Sequence, residues 1–253
     1  MSKLWTFGCS FTAEYDPIEG IHHPYENQFD KFKKFRGGNL PDVWPTILAK
    51  KIEYDLMNCA IGGSSNYNIL TQFFNVCDLI REGDMVIFGW TSLSRFTAVN
   101  LNENIYSQIL PCDANFDDTG YSKKTIEEIL VNRQHPLWIL EVQNWIKFIN
   151  LFMKNLGVEV YHWTSDERTF NRYTKWINEE QYIVVRDEDY PKEHLMGYLN
   201  LAKFYGGTLK ARIVEETNGE IEDDHNGEYG HKNQAKFFYE HISKYTKLPI
   251  KKD

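Results

Sequence analysis

Ser10, Asp223 and His225 are the residues whose types and spacing could act together in a reaction. A serine hydroxyl is a weak nucleophile until a base takes its proton, and an imidazole serves as that base when a carboxylate fixes its tautomer. The run Asp223-Asp224-His225 offers a carboxylate and an imidazole two positions apart, and Ser10 follows Gly8 directly after a short apolar run. Attack on an acyl carbon also needs donors aimed at the developing oxyanion, each worth roughly 2.7–4 kcal/mol. Gly62-Gly63 can present backbone N–H groups with no side chain in the way, and Thr91 can present a hydroxyl; each lies just past another apolar run. The chemistry this set fits is acyl transfer, with Ser10, Gly63 and Thr91 around the oxyanion.

Positioning these residues requires a sheet. Short apolar runs over 4–7, 54–58, 84–88 and 158–163, bounded by polar turns, predict strands buried on both faces of a parallel sheet. Helical spacing predicts helices over 41–51, 66–80, 136–157 and 230–245, with Pro136 at a first helical position and Gly157 as a stop. Strands alternating with helices give a parallel α/β sheet with helices on both sides. The segments 13–40, 97–135 and 164–210 break the alternation. They follow the first, third and fourth strands, so they should gather at the carboxyl edge, where open α/β sheets bind ligands. They read as lids or substrate-binding walls inserted in one domain spanning 1–253.

Composition narrows the function classes. The 253 residues carry a net charge of -8, with 42% apolar and 25% charged residues. That balance opposes broad binding of a nucleic-acid backbone, which needs clustered Lys and Arg. The basic run Lys31, Lys33, Lys34 and Arg36 reads as a solvated face. Cys9, Cys59, Cys77 and Cys112 form no CxxC pair and no metal-ligand spacing, which suits reduced thiols. No signal peptide and no run of about 18 apolar residues is visible, which predicts a soluble protein made in a cytoplasm, away from membranes.

The blocks that carry the chemistry resemble those of the SGNH (GDSL-like) hydrolases. Gly8-Cys9-Ser10-Phe11-Thr12 is similar to the GDSxT first block, and Asn58-Cys59-Ala60-Ile61-Gly62-Gly63 to the second, whose last glycine supplies an oxyanion N–H. Gly89-Trp90-Thr91-Ser92 stands where GxND is expected, and the stretch from Asp223 to His231 resembles the final Asp/His block. Trp44-Pro45 and Ser64-Ser65-Asn66 further resemble SGNH-like proteins encoded by tailed bacteriophages, for which a host cytoplasm or a virion would be the place of action. The resemblance implies a three-layer α/β/α sandwich around a five-stranded parallel sheet, flavodoxin-like, with long lid insertions. It implies Ser10 as nucleophile, His225 as base and no cofactor or metal. It also implies a small-molecule or carbohydrate ester as substrate, with O-acetylated sugars as one class. Cys9 replaces the usual aspartate, Thr91 the usual asparagine, and Asn226 a common proline. Two carboxylates compete for His225: the D-x-x-H spacing selects Glu222 and the closer D-x-H spacing selects Asp223, the one favoured here.

Several residues have plainer readings. His231 shares a helical face with Ala235, Phe238 and Ile242, which suits a buried core histidine rather than a second base. Asn66 reads as part of a polar helix start that caps. Cys9 should point away from Ser10, because side chains alternate along a strand. The acidic run from Glu215 to Asp224 reads as a solvated loop rather than a metal site. A second class of function, an SGNH-shaped binding or structural module with feeble chemistry, is motivated by Thr91 in the third block; fold alone does not fix function.

Overall fold

The computed structural model describes residues 2–15, 26–91, 95–100, 105–109, 122, 124–125, 128, 136–164, 212–223 and 225–250. In chain order the elements are β1 (Lys3–Phe7), α1 (Glu26–Phe35), α2 (Trp44–Ile52), β2 (Asp55–Asn58), α3 (Asn66–Phe74), β3 (Met85–Trp90), β4 (Phe96–Asn100), β5 (Ile105–Ile109), α4 (Pro136–Asn155), β6 (Glu159–Thr164), α5 (Ile213–Glu216) and α6 (Glu228–Tyr245). A single 3-10 turn, Cys77–Leu79, follows α3.

Strands β2, β1, β3 and β6 pair in that order, every pair parallel. All six residues of β3 are buried, as an inner strand requires, whereas Asp55 and Met57 of the outer strand β2 are exposed. Because side chains alternate along a strand, the sheet sorts them into two cores. Trp5, Phe7, Val86, Phe88, Trp90 and Val160 pack against Ile69 and Phe73 of α3 and Ile146, Ile149 and Met153 of α4. Leu4, Met85, Ile87, Tyr161 and Trp163 pack on the opposite face against Trp44 and Leu48 of α2 and Ala235, Phe238 and Ile242 of α6. The result is an α/β/α sandwich with helices on both sides. Fully burying a side chain such as Phe73 or Phe238 contributes about 1.5–3 kcal/mol, so both layers are firmly anchored.

The sheet has four strands among the described residues, not the expected five. Beyond β6, residues 165–211 lie outside the described ones, and the chain that returns at Arg212 makes one bridge, to Asn226, rather than a strand. Two of the expected insertions hold regular structure. The first contains α1, whose Phe29 and Phe32 are buried one turn apart, and the second contains the antiparallel pair β4–β5. Most of the third lies outside the described residues.

This topology defines a crevice. The chain leaves β1 for β2 on one side and then returns to place β3 on the other, so the carboxyl ends of β1 and β3 flank the point where strand order reverses. Ligands of open α/β sheets bind there. A third cluster of Tyr15, Phe29, Phe32, Val43, Ile213 and Ile221 joins α1, α5 and the loop after β1. No described helix is long and apolar enough to cross a membrane.

Candidate active site

Ser10 sits half-buried in the turn that follows β1, at the carboxyl end of an inner strand. The carbonyl of Cys9 accepts the N–H groups of Thr12 (2.8 Å) and Ala13 (3.0 Å), closing one helical turn over Ser10-Phe11-Thr12. Such a turn leaves its first N–H groups unused. Among the described residues neither the amide nor the hydroxyl of Ser10 has a hydrogen-bond partner. Gly8 makes the turn possible: a Cβ there would lie 2.8 Å from Cβ of the fully buried Thr12. Cys9 is buried beneath the turn.

Gly63 occupies the turn after β2, buried, with a φ of 76° that favours glycine. Its N–H also donates to no described acceptor. Asn58 links this loop to the first one. Its Oδ1 accepts the Thr6 hydroxyl (2.9 Å) and the Ala60 N–H (3.2 Å), and its Nδ2 donates to the Thr12 carbonyl (2.9 Å). Thr91 is buried directly after β3. The Asn66 carboxamide grips its backbone in both directions: Nδ2 donates to Thr91 O at 3.0 Å, and Thr91 N donates to Oδ1 at 2.8 Å. Asn66 is therefore not the cap of α3; Ser65 is, its Oγ accepting the Asn68 N–H.

Asp223 and His225 stand just ahead of α6. Asp223 Oδ1 accepts from the His225 backbone N–H (2.8 Å) and from Nδ1 of its ring (2.6 Å). Asp223 is buried, whereas Glu222 is exposed. With Nδ1–H directed at the carboxylate, Nε2 carries the lone pair. The loop is held from several sides. Ile213 N donates to His225 O and Val214 N to Asp223 O (each 2.9 Å), the Tyr15 hydroxyl donates to Asn226 O, and Asn226 Nδ2 donates to Gln234 Oε1 (2.8 Å). Burial, reinforced by Glu216 and Asp223, pushes the Tyr15 phenol well above its usual range, so it stays a neutral donor.

The first and last loops meet through aromatic rings. Phe11, next to Ser10, lies 5.2 Å from the His225 ring, centroid to centroid, and Phe29 of α1 lies 5.6 Å from it. His231 sits behind them as a core residue. It is 2% exposed, its Nδ1 accepts the Trp44 N–H (3.1 Å), and burial pushes its pKa down to about 3.

The end of the basic run and part of the acidic one are paired rather than solvated. Arg36 reaches Glu216 and Glu228 (2.6 Å to the latter), Glu216 Oε2 also accepts the Glu228 N–H (2.7 Å), and Arg212 binds Glu215. These pairs fasten α1 to the base of the His225 loop. Sequence reasoning missed Gln72, Phe29 and this ion-pair cluster, because none belongs to a motif, and it named Asn58 only as the start of the second block, without a role. Ser92, Cys112 and Asp224 lie outside the described residues.

No family model matches the chain, and no curated protein matches it. Solved structures do. One is a Bacillus subtilis protein, 11% identical with a TM-score of 0.47, aligned over 96% of this chain and 56% of its own. Another is an acetyl xylan esterase, 11% identical with a TM-score of 0.47, aligned over 95% of this chain and 99% of its own. A third is a lipase/acylhydrolase from Enterococcus faecalis, 13% identical with a TM-score of 0.43, aligned over the full length of both. The chain thus spans little more than half of the Bacillus protein.

Proposed function

We propose that this protein is a serine ester hydrolase of the SGNH type. The observation that carries the reading is the pairing of the buried Asp223 carboxylate with the partly exposed His225 ring, 2.6 Å apart, on a loop whose imidazole packs against the residue following Ser10. In this reading His225 Nε2 takes the proton of the Ser10 hydroxyl as Oγ bonds to the ester carbonyl carbon. The Ser10 N–H, the Gly63 N–H and the Thr91 hydroxyl receive the oxyanion. Collapse expels the alcohol, which leaves with the proton held by His225, and a water then cleaves the acyl-serine with the same base. The Phe11 and Phe29 rings stand beside His225, and the substrate class of this reading is a small-molecule or carbohydrate ester, O-acetylated sugars among them.

A fluorophosphonate probe tests this. The expected result is a single adduct on Ser10, lost in Ser10→Ala and in His225→Ala. A folded protein that never labels would refute the reading. It would leave the second one, an SGNH-shaped binding module, which is favoured by Thr91 at the third loop and by the absence of a partner for the Ser10 hydroxyl among the described residues.

A further inference from the structure

The three loops that end β1, β2 and β3 are all tied to one helix by buried carboxamides. Gln72 of α3 is 6% exposed. Its Oε1 accepts the Gly8 N–H (3.1 Å), and its Nε2 donates to Gly8 O (3.1 Å) and to Ser64 Oγ (2.9 Å). Ser64 Oγ donates to Ile61 O (2.7 Å), and Ile61 N–H returns to Gly8 O (3.2 Å). The ring of bonds closes across the first and second loops. On the same helix Asn66, 5% exposed, grips the third loop through both backbone groups of Thr91. Burying a carboxamide is costly unless it is fully bonded. A leucine at either position would fill the space without that cost and would fix none of the loops.

We propose that Gln72 and Asn66 are positioning residues for the oxyanion pocket. Through Gly8, Ser64 and Thr91 they set the mutual spacing of the Ser10 amide, the Gly63 amide and the Thr91 hydroxyl. The proposal rests on the reading of Ser10 as nucleophile. Donors act at full strength only when preorganised, and displacement by about 1 Å can lower a rate about 100-fold.

The test compares three proteins on p-nitrophenyl acetate: the wild type, Gln72→Met, which keeps side-chain length and removes every bond, and Ile69→Val, which trims a buried contact of α3 away from the loops. The expected result is a loss of about 10- to 100-fold in kcat for Gln72→Met with KM within about twofold, and Ile69→Val within about twofold in both. Wild-type kcat in Gln72→Met, or an equal loss in Ile69→Val, overturns the proposal. If Gln72→Met does not fold, Asn66→Ala must show the same split between kcat and KM, and its absence overturns the proposal. Exchange of the Gly8 amide hydrogen reads the tie without turnover, and it should be at least about tenfold faster in Gln72→Met alone. If the wild type neither hydrolyses ester nor takes the fluorophosphonate, the nucleophile reading falls, and exchange then decides the tie by itself. Unchanged protection of Gly8 overturns it, and selective loss supports it.

Discussion

Acidification offers a test of the core that needs no substrate. His162 of β6 is fully buried beside the mutually stacked rings of Phe88 (5.4 Å) and Trp90 (6.1 Å). Trp90 Nε1 can only donate, so Nδ1 of His162, 3.0 Å away, must accept, and Nε2–H then faces Asn150 Oδ1 at 2.9 Å. Protonating Nδ1 would set one N–H against another in a dry core. Burial pushes the pKa down to about 3, against about 6.5 for the unfolded chain. The neutral ring is therefore at no disadvantage above about pH 6.5, and stability is lost as pH falls from there toward 3. The slope is about 1.4 kcal/mol per pH unit. Between pH 7 and pH 4 the loss from this one ring is about 3 kcal/mol, a large share of a typical folding free energy of 5–15 kcal/mol. Glutamine can accept from Trp90 and donate to Asn150 without titrating. Urea unfolding followed by tryptophan fluorescence should show His162→Gln losing about 3 kcal/mol less than wild type between pH 7 and pH 4. Equal losses in the two proteins would refute the assignment of a neutral, doubly bonded imidazole.

Four further outcomes follow from the site. Asp223→Asn should leave thermal unfolding within a few degrees of wild type and lower kcat by about 10³- to 10⁴-fold, since the amide permits the wrong imidazole tautomer; Glu222→Gln should keep kcat within about twofold, and the reverse pattern would reassign the acid. Gly8→Ala should destabilise the protein by about 1–3 kcal/mol in chemical denaturation, because the added Cβ meets Thr12. Phe29→Ala should widen the space beside His225 and raise the ratio of kcat/KM for p-nitrophenyl butyrate over acetate, by about 10-fold if two methylenes gain room; an unchanged ratio removes Phe29 from the acyl wall. Arg36→Met should lower stability by about 1–3 kcal/mol, because it leaves the mostly buried Glu216 carboxylate without its cation; an unchanged melting temperature would show the cluster to be dispensable.

The parallel sheet was legible because its strands are sandwiched: 85–88 is a continuous apolar run, and 158–163 is one interrupted only by Glu159 and His162, for the reason that helices cover both of their faces. The helix containing Phe29 and Phe32 was not, since its apolar stripe is short and set among Glu26, Lys31, Lys33 and Lys34, so that local composition resembles a loop. The hairpin β4–β5 lacks a two-residue turn signal and hid in the same way. For the site, residue types pointed to Ser10, Asp223 and His225, and the geometry pairs the last two. Gln72 left no trace and Asn66 read only as part of a polar helix start, because a carboxamide bonded to the backbone of a distant loop obeys no local spacing. The choice between Glu222 and Asp223 likewise needed burial, which a run of acidic residues cannot display.

Tyr15 reaches Asn226 across 211 positions of sequence, and that span has a consequence for synthesis. A nascent polypeptide halted after α4 and before Arg212 already carries the serine turn, the loops that end β1, β2 and β3, and the helices α2, α3 and α4. It lacks the imidazole altogether. Under the hydrolase reading, turnover therefore begins only when the loop bearing Asp223 and His225 has been made and has docked against Tyr15 and Phe11, so esterase activity reports that this long-range contact has formed.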